Sequence, residues 1–305
     1  MSARRAKHRA APPPTDRPRL ATDGTPPRDR LTLAALLLAA ALATAAAHWP
    51  VLSAQALCFD DEAFIVRNPL VADPGWASVG RFFREVLEPS TVQGYYIPLA
   101  MTSLMVDTAL GGRTDDLAPY HRTALALHVL NTTLVILLLY LLFHRPWPAA
   151  LAGLLFGLHP LSVEPVAWVG ERKTLLAALF ALICLVAYVR FVTSRNRLAY
   201  LLALAGYLLA LLSKPTSTPL PLLLLLLDYW PLGRLGRRAL LEKIPFFILS
   251  AASVTVTLIS HARTASVGVA VTADAGLLRP LLLLGHNLAF YAAKLILPTN
   301  LTPNY

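Results

Sequence analysis

Charged side chains are scarce in this sequence. Asp, Glu, Lys and Arg together make up 14% of its 305 residues, against 56% hydrophobic ones. A water-soluble domain of this length needs more polar surface than that to cover itself, so a soluble globular protein is excluded. Cysteine is almost missing too. With two cysteines, Cys58 and Cys184, and no CxxC or His-rich tract, neither a disulfide framework nor structural zinc is expected. No helical repeat of about 34 residues occurs, which excludes a tetratricopeptide-type solenoid within the chain. Acids are fewer than bases, 17 against 27, for a net charge of +10. That excess forms no basic-aromatic patch on a foldable segment. Eight of the Lys and Arg fall in residues 1–30, an Ala-, Pro- and Arg-rich tail of a kind that stays unfolded. Nucleic acid is therefore not an expected partner.

What the sequence has in quantity is long apolar runs, such as residues 31–47, 134–143 and 220–227. They sit in stretches able to cross the roughly 30 Å of hydrocarbon that takes about 20 helical residues, and most carry no polar stripe. The expectation is an all-α, polytopic transmembrane helical bundle of about eight spans. The segments are read near 31–52, 117–143, 148–166, 174–193, 198–213, 215–231, 244–261 and 279–297. A further stretch, 95–110, is short or interfacial, because Asp107 and Gly111-Gly112 cut it. The basic start and Ala-rich end of 31–48 also suit a cleaved signal peptide; its length and the spans that follow favour a membrane segment.

Orientation follows from the distribution of Lys and Arg. With residues 1–30 as a cytoplasmic tail, the inner loops hold Arg145, Arg190, Arg195, Arg197, Arg234, Arg237, Arg238 and Lys243. The unit 31–305 is then one transmembrane domain with a long outer loop at 54–94. In that loop Trp76, Val79, Phe82, Phe83, Val86 and Leu87 recur at helical spacing, as in a helix lying on a membrane surface or equally in a small cap on the bundle.

Polar residues concentrate on the expected outer side. Asp60 and Asp61 follow the first span, where an acid can take a proton from an acceptor hydroxyl or hold a divalent cation; solvated loop acids are the plainer reading. Glu164 lies in an apolar stretch between Leu161 and Trp168, where a carboxylate is expensive unless paired. His159, Arg172 and Lys173 are its candidate partners, in a functional site or in a structural ion pair between helices. Lys214 closes a span at the outer boundary. It either snorkels to the interface or meets a phosphate as a mobile point charge. Asp228 reads as structural, pairing with Arg234 or capping a turn. His121 and His128, seven residues apart, share a helix face with Asn131 and are candidate substrate-facing groups; core histidines are the alternative. No residue set has the spacing of a metal site.

Several strings resemble successive motifs of one family: FDDEAFIVRNPLV (59–71), YYIPLAMTSLMVDTALGG (95–112), YHRTALALHVLN (120–131), HPLSVEPVAWVGERKTLLAALF (159–180) and LSKPTSTPLPLLLLLLDYWPLGR (212–234). Together they look like the membrane half of the bacterial relatives of the TMTC (transmembrane and tetratricopeptide repeat) proteins. Those are GT-C-type glycosyltransferases similar in plan to protein O-mannosyltransferases. The resemblance implies a multi-spanning transferase of a bacterial inner membrane, N-terminus cytoplasmic. Its donor would be a polyprenyl-phosphate-linked sugar, such as mannose, and its acceptor a protein or glycan hydroxyl on the non-cytoplasmic side. By the same analogy Asp60 and Asp61 are the catalytic-base region, and Arg172, Lys173 and Lys214 suit the donor phosphate. The sequence departs from the family at Ile97, Ala124 and Ser162, where Arg, Asn and His are common, and it holds none of the family's repeats, so a form truncated before them is expected. A membrane anchor for a repeat domain and a transporter or flippase using Glu164 and the histidines remain as alternatives from other classes.

Overall fold

In a computed structural model, residues 27–57, 59–84, 96–264, 278–299 and 301 are described. Most of the basic tail, Cys58, residues 85–95 with Val86 and Leu87, and residues 265–277 lie outside them. The described residues are all-α, with one isolated bridge between Arg113 and Asp116.

The helices are α1 (Pro27–His48), α2 (Pro69–Ala72), α3 (Trp76–Arg84), α4 (Pro98–Ala109), α5 (Ala118–Phe143), α6 (Pro146–Leu158), α7 (Val163–Ala167), α8 (Arg172–Ser194), α9 (Arg197–Ser213), α10 (Leu220–Tyr229), α11 (Arg237–Thr264) and α12 (Leu278–Ile296). Among the described residues, four stretches are long and apolar enough to cross a membrane: Arg28–Ser53, Ala118–Phe143, Val169–Ser194 and Arg237–Ser260. The pair Pro146–Leu158 and Pro160–Ala167, bent by 53°, makes a fifth if counted as one broken span. α9 is apolar but shorter, and α10 has 10 residues. The chain is thus a polytopic membrane protein with four or five clear spans. The stretch read as a single span at 148–166 is broken at His159-Pro160, since a proline there cannot donate to the helical ladder.

Local chemistry sets the element ends. α5 and α8 stop where His144 and Arg195 adopt φ of 53° and 55°, their amides returning to Tyr140 O at 2.7 Å and Phe191 O at 2.8 Å. Asn196 then caps α9, its side chain accepting from Leu198 N at 2.8 Å. The α8–α9 hairpin is the most extensive helix pair, and α5 packs on α8 and α6. α6 approaches α5 and α1 closely because Gly153 faces Ile136 and Gly157 faces Thr132 and Thr44.

The break at His159 leaves carbonyls at the end of α6 without helical partners. Gly157 O is served twice, by His128 Nε2 at 2.9 Å and His48 Nε2 at 3.0 Å. His159 accepts from Leu161 N through Nδ1 at 3.2 Å, and its Nε2 meets Leu295 O of α12 at 3.0 Å.

Among the described residues two larger apolar cores share the bundle with a smaller one around Ala40, Ile136, Tyr140 and Ala149. One, near the start of α8, gathers Phe64, Phe82, Met101, Leu104, Tyr120 and Val166 from the first loop, α3, α4, α5 and α7. α3 covers nine residues, with Phe82 buried and Trp76 exposed. α4 is half-buried beneath this loop layer and is not counted among the spans. The other core, around Cys184, Tyr207, Leu224 and Phe246, encloses a buried ionic network. There Tyr188 donates to Asp228 at 2.7 Å, Arg234 Nε binds Asp228 at 2.8 Å, and Lys243 donates to both Asp228 and Tyr188. Arg234 also pairs with Glu242.

Candidate functional site

After α1 the chain passes Phe59, whose φ is 46°, and turns through Asp60-Asp61 into a single π-helical turn, Glu62–Val66. The two adjacent acids part company. Asp61 is fully buried, and its Oδ1 accepts from Gly170 N at 2.7 Å and from Trp168 Nε1 at 3.1 Å. It fastens the first loop to the turn that opens α8. Gly170 is required at that contact, because a Cβ would lie 2.9 Å from Asp61 Oδ1 and 3.0 Å from the Trp168 indole nitrogen. Gly170→Ala is expected to lower stability by about 1–3 kcal/mol, read as a lower melting temperature in detergent.

Asp60 points elsewhere. Its Oδ2 accepts from Lys173 Nζ at 2.6 Å while its side chain stays 38% exposed. Lys173 also reaches Glu171 Oε1 at 3.2 Å, and Lys214 Nζ binds Glu171 Oε2 at 3.2 Å and Thr174 Oγ1 at 2.7 Å. Thr174 donates to Glu171 in turn. The result is a chain of alternating charge, Asp60–Lys173–Glu171–Lys214, buried in the middle and open at both ends. Lys173 lies over Phe64 and Trp168, its Nζ 5.0 Å and 5.6 Å from the ring centroids.

Arg172 faces away from this chain, as a helical step of about 100° from Lys173 demands. It is 1% exposed, and its guanidinium donates to Asp107 at 2.6 Å, Ser103 Oγ at 2.8 Å and Tyr120 O at 2.6 Å. Asp107 also accepts from Thr123 at 2.6 Å. Arg172 therefore ties α8 to α4 and α5.

Glu164 is exposed, within electrostatic reach of Glu171 and Lys214, and has no ion-pair partner among the described residues. His159, Arg172 and Lys173 are all engaged elsewhere. His121 is fully buried with neither ring nitrogen in hydrogen-bond geometry, although the Ala54 backbone is close. No group of three His, Cys, Asp or Glu able to hold a metal is present among the described residues.

Beside the charged chain lies an apolar cavity of about 450 Å³. His128, Asn131, Phe156, His159, Thr174 and Leu295 are among its lining residues. Thr174 belongs to both features, so the cavity ends where the lysine–carboxylate chain begins.

The structure thus brings together Asp60, Lys173 and Lys214, puts His128 and His159 on the cavity wall, and sets Asp61 and Arg172 into tight polar joints. Sequence reasoning missed Glu171, Thr174, Trp168 and Asp107 as members. Glu171 had a signal: it stands three residues before Thr174 at the start of a span, one helical turn away, in an acid–base–base triplet between Gly170 and Thr174.

No protein-family model matches the chain, and no solved structure does. Among curated proteins it is 30% identical over 142 residues to protein O-mannosyl-transferase TMTC2 of Homo sapiens, covering 46% of this chain and 17% of that protein. It is 31% identical over 154 residues to protein O-mannosyl-transferase Tmtc1 of Drosophila melanogaster, covering 50% and 18%. The mouse TMTC2 protein matches at 30% over 142 residues, with the same coverage as the human one. The matches span less than a fifth of the length of these relatives. The chain is an all-α membrane-spanning protein with distant similarity to the TMTC O-mannosyltransferases, a GT-C-like family.

Proposed function

We propose that this chain is a membrane glycosyltransferase. It moves a sugar, mannose in the first instance, from a polyprenyl-phosphate-linked donor to a hydroxyl acceptor on the non-cytoplasmic side. The bundle then carries about eight crossings, with α9, α10 and α12 completing those of clear length. Residues 1–30 form a cytoplasmic tail, and the loop at 54–94 caps the outer face. The observation that carries this reading is the junction at Thr174. There an apolar cavity suited to an isoprenoid chain meets the Lys214 ammonium, which shares Glu171 with Lys173, and the pair suits a phosphate.

In this reading Lys173 and Lys214 hold the donor phosphate, and Glu171 sets their spacing. Asp60, the adjacent acid that solvent reaches, is the base. The acceptor oxygen attacks the anomeric carbon as Asp60 takes its proton. The bond from that carbon to the phosphate oxygen breaks, and the electron pair leaves with the polyprenyl phosphate, whose charge the two lysines stabilise. Arg172, fixed on Asp107, positions the start of α8 so that Lys173 and Glu171 face this space.

The test is transfer of labelled mannose from polyprenyl-phosphate mannose by the full chain in proteoliposomes. Lys214→Ala is expected to raise the donor KM by about tenfold. Glu164→Gln should leave transfer within about threefold of wild type. Transfer absent from the wild-type chain, or solute uptake abolished by Glu164→Gln, would overturn the reading in favour of a transporter or an anchor.

A further inference from the structure

We infer, resting on the glycosyltransferase reading above, that Phe59 and Trp168 form the wall on which the donor's sugar ring lies. Phe59 is a bulky residue in the left-handed backbone region, φ 46°, a conformation rare outside glycine. It is 53% exposed. The ring meets Trp168 at 5.3 Å between centroids, tilted by 52°. Trp168 is itself held, its indole N–H donating to the buried Asp61 at 3.1 Å. Lys173 Nζ stands 5.6 Å from the Trp168 centroid, and Asp60 follows Phe59 directly.

These positions fit one ligand chemistry. A phosphate on Lys173 places its attached pyranose beside the Trp168–Phe59 pair, with the hydroxyl-bearing edge toward Asp60 and Glu171. The C–H face of a pyranose is apolar and slightly electropositive, so it packs on the negative face of an aromatic ring. An exposed phenylalanine that only anchors the loop in the membrane interface needs no such face, and leucine serves it equally.

The experiment measures binding of two probes, polyprenyl phosphate and polyprenyl-phosphate mannose, to the full chain in lipid nanodiscs. Wild type should prefer the mannosylated lipid. Phe59→Leu should reduce that preference by about three- to tenfold, leave the affinity for bare polyprenyl phosphate unchanged, and melt at the wild-type temperature. Phe59→Tyr should keep the preference. An intact preference in Phe59→Leu, or an equal loss for both lipids, overturns the inference while leaving the transferase reading standing. Failure of wild type to bind either lipid removes the transferase reading and this inference together.

Discussion

Asp60→Asn is expected to slow sugar transfer by about 10²–10⁴-fold, the range that a positioned general base contributes. The substitution keeps the shape of the side chain and its oxygen toward Lys173, so the loop should stay folded. What it removes is the ability to take a proton from the acceptor. Asp61→Asn should behave differently. The asparagine oxygen can still accept from Gly170 N and Trp168 Nε1, so transfer should fall much less. Asp61→Ala, by contrast, leaves two buried donors without their acceptor and should lower the melting temperature, each unsatisfied group costing about 1–3 kcal/mol. Initial rates at saturating donor, measured beside melting curves for the three variants, separate these outcomes. Equal rates for Asp60→Asn and wild type would falsify the base assignment.

That contrast shows where the sequence could and could not be read. Of the eight segments read as spans, the longest were legible, because apolar length needs no partner to be recognised, while that at 215–231 holds a helix of only 10 residues. α5 and α8 fall within two residues of the segments read at 117–143 and 174–193, and α9 begins one residue before its reading at 198. The break at His159-Pro160 was less legible. The apolar run continues through it, and the carbonyls freed there are satisfied by His48 and His128, which lie far off in sequence. Neighbouring charges were the hardest case. Asp60 and Asp61 look equivalent in a string of letters, as do Arg172 and Lys173. In three dimensions Asp61 and Arg172 are locked in buried joints, whereas Asp60 is 38% exposed and the buried Lys173 turns to Asp60 and Glu171. Only the direction of each side chain, set by the π-helical turn and the helical step, separates them. Glu171 was overlooked because its partner Lys214, just past the end of α9, is 43 residues away in sequence.

The largest stability effect should come from the opposite end of α8. Tyr188 lies about 24 Å along the helix from Arg172, at about 1.5 Å per residue. Around it Asp228 and Lys243 are both fully buried, with Arg234 and Glu242 half-buried beside them. The four charges balance. Asp228→Leu leaves Lys243 without a paired carboxylate and Arg234 with Glu242, and the Tyr188 hydroxyl keeps its two donors, Arg234 and Lys243, but loses its acceptor. Removing one partner of such a pair costs about 3–5 kcal/mol, which should appear as a large drop in melting temperature or loss of folded protein in detergent. Lys243→Met is expected to cost less, because Arg234 and Tyr188 still serve Asp228. The double variant Asp228→Leu/Lys243→Met restores the balance, leaving Arg234 with Glu242, and should recover much of the loss, since apolar replacement of a buried ion pair is often neutral. Simple additivity of the two single changes would show that the network is not coupled. Recovery would show that these charges fix how α8, α10 and α11 meet.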